Sequence, residues 1–195
     1  MRTVFFDVDT QIDFLYPAGA LYAPGAEGIL PAIERLNGYA ATHGIPVVST
    51  TDAHAENDAE FAQWPPHCVV HTAGQQKPRS TLLEKRVAIP STAGEYPVNE
   101  AQQFLIEKQA LDCFTNPNLS GLLARLDAER YVVYGVVTEY CVRCAAVGLL
   151  KTGERVELVT DAIQSLSEEG GRRTIDEFVA GGGHLTTTAA ILDAG

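Results

Sequence analysis

A cysteine lies where a buried strand gives way to a helix. Residues 131–134 form a short apolar run rich in β-branched side chains, which is typical of a strand buried on both faces. Gly135 and Thr138 then indicate a turn, and apolar residues recur at helical spacing after Glu139. Cys141 is therefore expected in the first helical turn, where backbone N–H groups and the helix dipole stabilise a thiolate. The position predicts a nucleophile, although a cysteine that only packs in the core would fit it too.

Further reactive side chains stand at or just after the ends of predicted strands. Because ligands bind beyond the carboxyl ends of parallel strands, we expect these groups to share a site with Cys141. A desolvated Asp9 can accept the thiol proton, and Lys108 can keep that carboxylate ionised and stabilise the thiolate. The alternative is a plain ion pair at the sheet edge. The strand-end residues are Asp9, Asp52, His54 and Lys108.

A mixed set of carboxylate and imidazole groups predicts a metal site. Asp52 and His54 are alternate residues of an extended segment, so both can face one ion. His67 returns after a loop and can complete the site, and Glu60 is a candidate fourth ligand. Such donors with open positions suit one divalent transition metal, with Zn preferred over Fe or Mn. A capped turn with exposed histidines is the alternative interpretation.

Length, charge and cysteine usage narrow the classes of protein. The chain has 195 residues, which predicts a single domain over 1–195. A net charge of −11 argues against nucleic-acid and anionic-membrane partners. Acidic residues interrupt the N-terminal apolar run and no long apolar segment exists, so we expect a cytoplasmic protein whose four cysteines are reduced. The Cys141-x-x-Cys144 spacing leaves a redox or scaffolding role as a non-enzymatic alternative.

Strands and helices alternate along the whole chain. This order predicts an α/β fold of three-layer α/β/α type, with a mainly parallel, Rossmann-like sheet of about six strands. Residues 55–100 are polar and rich in Gly and Pro, with an apolar patch at 82–89, and so long an irregular stretch is usually functional. Gly44 is expected to end the first helix. The predicted strands are 2–8, 45–51, 104–108, the run from 131, 155–160 and 184–188, and the predicted helices are 29–42, 119–126, 139–150 and 168–180.

Five segments, taken in order, match the motifs of one family over about residues 3–188. They are Asp9-Thr10-Gln11-Ile12-Asp13-Phe14, Asp52-Ala53-His54, Trp64-Pro65-Pro66-His67-Cys68, Gly135-Val136-Val137-Thr138-Glu139-Tyr140-Cys141-Val142 and Val159-Thr160-Asp161-Ala162. This series resembles the isochorismatase-like cysteine hydrolases, and the metal motifs resemble those of the nicotinamidase branch. Lys108 falls where that family has its lysine.

The resemblance implies an activity and a role for each matched residue. It implies a metal-dependent amidohydrolase that converts nicotinamide and water into nicotinate and ammonia through a cysteine thioester, a reaction of NAD salvage. It implies Asp9 as base, Lys108 as electrostatic partner and Cys141 as nucleophile. A cis peptide bond between Val136 and Val137 is also implied. The N–H groups of Val137 and Cys141 would form the oxyanion hole.

The resemblance extends to the substrate's surroundings and to assembly. Phe14 and Trp64 match the aromatic residues that flank the substrate ring, the substrate is a small-molecule amide, and members often form homo-oligomers. The segment after Lys108 departs from the family pattern, and residues 75–100 carry no motif that it covers. The alternatives are another amide or ureido hydrolase of the family and a metal-free isochorismatase acting on an enol ether.

Overall fold

Seven parallel strands form the centre of the structure. The computed structural model describes residues 1–193. The strands are β1 (Thr3–Val8), β2 (Val47–Asp52), β3 (Arg86–Ile89), β4 (Gln103–Lys108), β5 (Arg130–Val136), β6 (Arg155–Gln164) and β7 (His184–Thr186). Their order in the sheet is β3-β4-β2-β1-β5-β6-β7, and every neighbouring pair is parallel. β1 and β5 therefore lie at the middle, where both faces are covered.

Helices cover both faces of this sheet and make three layers. They are α1 (Ile12–Leu15), α2 (Leu30–His43), α3 (Leu119–Leu126), α4 (Arg143–Leu150), α5 (Glu168–Ala180) and α6 (Thr188–Asp193). The apolar faces of α3, α4 and α5 pack in one core cluster, and those of α1, α2 and α6 pack in the other. Among the described residues, no helix is long and apolar enough to cross a membrane.

The predicted fold class is confirmed, with differences at particular elements. α3 and α5 have the predicted bounds, and Gly44 ends α2 in a left-handed conformation, as expected. The strand that the prediction lacked is β3. It comes from the apolar patch at 82–89, which the prediction placed within an irregular stretch. It was missed because a short edge strand becomes recognisable only when it pairs, here with β4.

Candidate active site

The strand register brings four of the predicted residues to one edge of the sheet. β2 and β4 end side by side, with Asp52 directly opposite Lys108. Asp9 follows the neighbouring strand β1 and adopts a left-handed backbone conformation. β5 pairs with the other side of β1 and leads to Cys141. Parallel strands with this order necessarily bring their C-terminal ends together.

Gly135 allows β5 to approach β1 closely at this edge. Its φ is +125°, and a Cβ atom there would lie 2.1 Å from the carbonyl oxygen of Val8. No side chain larger than hydrogen fits this position. The peptide bond between Val136 and Val137 is cis, as the resemblance implied. The next residues, Thr138–Val142, form a π-helical turn, and α4 begins only at Arg143. Cys141 therefore lies in a π-helical turn and not, as expected from the sequence, in the first turn of an α-helix.

Lys108 lies at the centre of the buried charges. Its Nζ is 2.8 Å from Asp9 Oδ2, forms a short contact with Asp52 Oδ1, and is 3.6 Å from Cys141 Sγ. Its side chain is 1% exposed, so the ammonium depends on these partners in place of water. Asp9 is held from another side by the Thr50 hydroxyl, which donates to Oδ1 over 2.6 Å. The predicted base, cation and nucleophile therefore form one contiguous group.

The two carboxylates around Lys108 have opposite proton affinities. Burial raises the pKa of Asp9 above 3.8, which outweighs the lowering by Lys108, and the nearby Asp52 charge raises it further. Burial also acts to raise the pKa of Asp52, but there the Lys108 ammonium and hydrogen bonds from the histidines outweigh it and hold the pKa well below its usual value. The surroundings of Asp52 thus favour its ionised form, whereas those of Asp9 favour uptake of a proton.

The surroundings of Cys141 favour its neutral thiol form. Burial raises the pKa of Cys141 well above 9.0; Lys108 opposes this effect, and the Asp9 and Asp52 charges reinforce it. Burial therefore opposes the thiolate stabilisation expected at a helix N-terminus, whereas the Lys108 ammonium favours it. A thiol with a raised pKa reacts as a nucleophile only after a neighbouring base has accepted its proton, and Asp9 is placed to accept it.

The predicted metal ligands converge beside this group. One donor atom each from Asp52, His54 and His67 lies within 4.8 Å of the other two. Asp52 Oδ2 is 3.8 Å from His54 Nε2 and 3.6 Å from His67 Nε2. His54 and His67 come together because the backbone at His54 forms a bridge with Val69. The loop residue His67 therefore lies beside Asp52 at the end of β2, a placement that sequence spacing could only suggest.

Contacts behind the two imidazoles hold them in this orientation. His54 Nδ1 is 3.0 Å from Asp58 Oδ2, and His67 Nδ1 donates to the carbonyl oxygen of Pro65 over 2.8 Å. Both Nε2 atoms therefore face Asp52, which is the usual arrangement of metal-bound histidines. Sequence reasoning missed Asp58, although its spacing of four residues from His54 was a readable signal.

The residues present fit a divalent cation. His54 Nε2 is buried and has no hydrogen-bond partner among the described residues. Burial acts to lower the pKa of His54, yet the Asp52 and Asp58 carboxylates outweigh it and raise the pKa above 6.5. A site that favours positive charge, and that leaves a buried nitrogen lone pair unused, suits a metal ion.

Glu60 lies apart from the three close ligands. It lines the same pocket, but the group whose donor atoms lie within 4.8 Å of one another, found among residues 1–193, does not include it. Burial and the Asp52 charge raise the pKa of Glu60 above 4.5. Its role as a fourth ligand stays a prediction.

An apolar pocket opens in front of Cys141. It encloses about 480 Å³, including its mouth. The predicted aromatic residues Phe14 and Trp64 both line it, with the Phe14 ring 5.5 Å from His67. Trp64 meets the ring of Tyr140 edge to face at 5.4 Å, a contact that the sequence did not reveal. The lining residues are Asp9, Phe14, Leu21, Tyr22, Asp52, Glu60, Trp64, His67, Leu111, Val136, Val137, Tyr140, Cys141 and Leu166.

Cys144 belongs to a different surface. It lines a separate depression with Arg143 and Lys151, outside the pocket of Cys141. The cysteines of residues 1–193 are free thiols. This placement gives no support to a redox pair formed by Cys141 and Cys144.

The family follows from a comparison with known domains. A model described as the isochorismatase domain matches residues 3–190. The chain belongs to the isochorismatase family. Nicotinamidase from Escherichia coli (strain K12) is 25% identical over 203 residues, which cover 93% of each chain.

Two solved structures of similar proteins bear on the site. Pyrazinamidase of Pyrococcus horikoshii, in complex with zinc, is 28% identical with a TM-score of 0.79, covering 96% of this isochorismatase-family chain and 99% of its own. PnC1 from L. infantum, in complex with nicotinate, is 26% identical with a TM-score of 0.80, covering 96% and 93%. The predicted family and fold are thus confirmed.

Proposed function

We propose that this protein is a metal-dependent cysteine amidohydrolase that converts nicotinamide and water into nicotinate and ammonia. The observation that carries the proposal is one pocket lined by Asp9, Cys141 and the metal ligands Asp52 and His67, with aromatic walls between them. A planar ring can lie between those walls with its carboxamide at the thiol. The nicotinamidase relative and the neighbours bound to zinc and to nicotinate support the same substrate class.

The first half of the reaction forms a thioester. Asp9 accepts the proton of the Cys141 thiol, and the sulfur attacks the carboxamide carbon. Lys108, 3.6 Å from the sulfur, stabilises the thiolate during the transfer. The N–H groups of Val137 and Cys141 donate to the developing oxyanion. Asp9 then returns the proton to the amide nitrogen, the carbon–nitrogen bond breaks, and ammonia leaves.

The second half hydrolyses the thioester with the same residues. Asp9, again ionised, takes a proton from water, and the hydroxide attacks the thioester carbonyl. The carbon–sulfur bond breaks, and the proton held by Asp9 returns to the Cys141 sulfur. The raised pKa of Asp9 suits a group that both accepts and donates a proton in each cycle.

Asp52, His54 and His67 would hold the metal, with Glu60 or waters at the remaining positions. The bound ion, Zn in preference to Fe or Mn, would supply a Lewis acid that binds the pyridine nitrogen. Phe14 and Trp64 orient the ring and exclude water from its faces. Because Lys108 contacts both the proposed ligand Asp52 and Cys141, the metal site and the thiol are held at a fixed separation.

The composition of the pocket favours a neutral aromatic amide over the alternative substrates. Ureido acids and isochorismate carry carboxylates, which proteins usually bind with Arg or Lys. Among the described residues that line the pocket, none is Arg or Lys. The walls are instead aromatic and aliphatic, which suits an uncharged planar ring.

A substrate panel tests this assignment. We expect ammonia release from nicotinamide and pyrazinamide, and a kcat/KM at least about 100-fold lower for the anionic N-carbamoylglycine, since a buried unpaired carboxylate costs several kcal/mol. Ammonia is measured for the amides and N-carbamoylglycine, and the carbonyl product of enol-ether hydrolysis for isochorismate, with the metal-loaded protein and again after chelation. Faster turnover of N-carbamoylglycine would reassign the chain to the ureido hydrolases, and turnover of isochorismate alone would reassign it to the isochorismatases.

Removal of either histidine should release the metal. For His54→Ala and His67→Ala we expect metal content to fall and the KM for nicotinamide to rise, because three protein ligands hold a divalent ion firmly and two do not. Elemental analysis and steady-state kinetics measure these effects. His71→Ala, a change at an exposed histidine of the same loop, is the matched control. A wild type that carries less than about a tenth of a metal per chain after reconstitution, yet hydrolyses nicotinamide, would contradict the site.

Several broader properties belong to the same proposal. We propose one catalytic domain over residues 1–195 that acts in the cytoplasm in NAD salvage and assembles as a homo-oligomer. Free cysteines in the described residues are consistent with a reducing compartment. Light scattering of the purified protein measures the oligomeric state directly.

A further inference from the structure

A second buried lysine lies close to the active site and has no part in the mechanism above. Lys77 Nζ is 3.0 Å from Asp7 Oδ2 and also donates a short hydrogen bond to the hydroxyl of Thr10. The side chains of Lys77 and Asp7 are 2% and 0% exposed. Burying an ion pair costs free energy unless further hydrogen bonds fix its geometry. The hydrogen-bond partners of this pair therefore indicate its role.

The Asp7 carboxylate is fully engaged by neighbouring groups. Its Oδ1 accepts from the Thr10 hydroxyl over 2.7 Å. Its Oδ2 accepts from Asn37 Nδ2 at 3.1 Å and from the Ser49 hydroxyl at 3.3 Å, in addition to the Lys77 contact. A carboxylate held from four directions is a fixed point in the middle of the sheet.

Thr10 connects this fixed point to the catalytic turn. It directly follows Asp9, whose φ of +48° is an uncommon conformation for a residue other than glycine. Such a conformation persists only when the surrounding contacts determine it. The Thr10 hydroxyl is held by both members of the ion pair, and the Gln11 N–H donates to the Asp9 carbonyl over 2.7 Å. The base therefore stands on a turn that the pair anchors.

The same turn reaches the metal ligand Asp52. Gln11 Nε2 donates to the Asp52 carbonyl over 2.8 Å, and the Asp52 N–H donates to Gln11 Oε1 over 2.7 Å. Gln11 Nε2 also donates to the Gln75 carbonyl over 2.6 Å. A shift of the turn at Thr10 would thus move Asp52 as well as Asp9.

Residues 75–77 bond to residues 10–12 one after another. Gln75 bonds to Gln11, the Gln76 carbonyl accepts from the Ile12 N–H over 2.8 Å, and Lys77 bonds to Thr10. Lys77 is the one charged group in this three-residue seam. Lys77 follows the loop segment that carries Trp64 and His67, and its ion pair with Asp7 attaches the end of that segment to β1.

We propose that the buried Lys77–Asp7 ion pair is a positioning element of the active site, which fixes the turn carrying the base Asp9 and, through Gln11, the metal ligand Asp52. The roles of Asp9 and Asp52 in this proposal rest on the proposed function. Among the described residues, Asp7 and Lys77 are neither in the lining of the pocket nor in the group of close metal ligands. Loss of the pair should therefore weaken both zinc binding and turnover, beyond any effect on folding.

A double-mutant design separates positioning from stability. Lys77→Met leaves a buried carboxylate without its cation and should lower the thermal midpoint. Lys77→Met combined with Asp7→Asn removes both charges and should recover most of that midpoint. Zinc affinity is measured by competition with a chromogenic chelator, and kcat for nicotinamide at saturating zinc, well below every midpoint. Lys85→Met, at an exposed lysine, is the matched control and should match the wild type.

The expected result is a double variant of recovered stability whose zinc affinity and kcat remain about 10- to 100-fold lower, the range seen when groups that orient metal ligands are removed. Recovery of both quantities in the double variant, or no change in either with Lys77→Met, would overturn the proposal. If these variants do not fold, Thr10→Val decides, since it keeps both charges of the ion pair and removes the hydroxyl through which Asp7 and Lys77 hold the turn after Asp9. Weakened zinc binding in Thr10→Val supports positioning, and unchanged binding overturns it. Because zinc affinity needs no substrate, the outcome stays readable if nicotinamide proves to be the wrong substrate.

Discussion

Cys141→Ala is expected to abolish ammonia release while the protein remains folded. In the proposed mechanism the Cys141 sulfur forms the bond to the substrate carbon. The neighbouring groups Asp9 and Lys108 move or stabilise charge but do not form that bond. We expect a residual kcat below about one thousandth of the wild-type value, since loss of a nucleophile in a hydrolase removes most of the rate enhancement. The small change in a site beside Lys108 should leave the thermal midpoint within a few degrees. Ammonia release and thermal unfolding measure the two quantities.

Cys144→Ala is the matched control for this variant. Cys144 lines a separate depression, so the change should preserve most activity. Mass spectrometry of rapidly quenched wild type should show a nicotinoyl adduct on Cys141, absent in Cys141→Ala. Activity of more than a few per cent in folded Cys141→Ala would exclude the covalent mechanism. Complete loss in Cys144→Ala would instead restore the redox interpretation of the two cysteines.

Asp9→Asn should lower kcat by about 10²- to 10⁴-fold, the usual contribution of a general base. The amide occupies the same space but accepts no proton, and Cys141 then keeps its proton because burial raises the pKa of the thiol well above 9.0. Metal content should stay at the wild-type level, since Asp9 is not among the close ligands. Pre-steady-state ammonia release and elemental analysis check both parts.

Asp112→Asn is the control for removal of a negative charge, because its exposed side chain only caps a turn, which asparagine can also do. The pH dependence gives a second check. Asp9 must be ionised to act, so activity falls as the pH drops through its pKa. Since burial raises that pKa above 3.8, the acid limb should lie above the value for an ordinary carboxyl group. A kcat near the wild-type value in Asp9→Asn would make Asp9 structural.

The fold class and most of the reactive residues could be predicted from residue types and their spacing. Apolar, β-branched runs such as 131–134 can be satisfied only by strands buried on both faces, and their alternation with amphipathic helices leaves a parallel sheet. The strand ends then indicate which polar residues share an edge. That reasoning predicted Asp9, Lys108 and Cys141 as one group and Asp52, His54 and His67 as another, and the structure brings each group together.

Local patterns failed where a contact between distant segments decides the conformation. β3 is recognisable as a strand only through its pairing with β4, and β6 continues to Gln164, beyond its predicted end at residue 160, alongside a register shift against β5. Periodicity also predicted an α-helical turn at Cys141, where the chain forms a π-helical turn. The strands depend on hydrogen bonds between residues that are far apart in sequence. The turn depends on hydrogen bonds that span five residues instead of the four of an α-helix, and residue types do not reveal either arrangement.

The pKa shifts of the reactive groups and the contacts that support the site depend on the assembled fold. The sequence places a thiol beside a lysine, which suggests a thiolate, but in the fold burial and two carboxylates raise the pKa of Cys141 against the effect of Lys108. The sequence also gives no reason to pair Lys77 with Asp7. The two residues are seventy positions apart, and Lys77 lies in a loop segment without a recognisable motif. Desolvation depends on everything packed around a group, and a buried ion pair depends on where two segments meet. Both are properties of the assembled fold, which is why residue types and spacing could name the reactive groups but not set their chemistry.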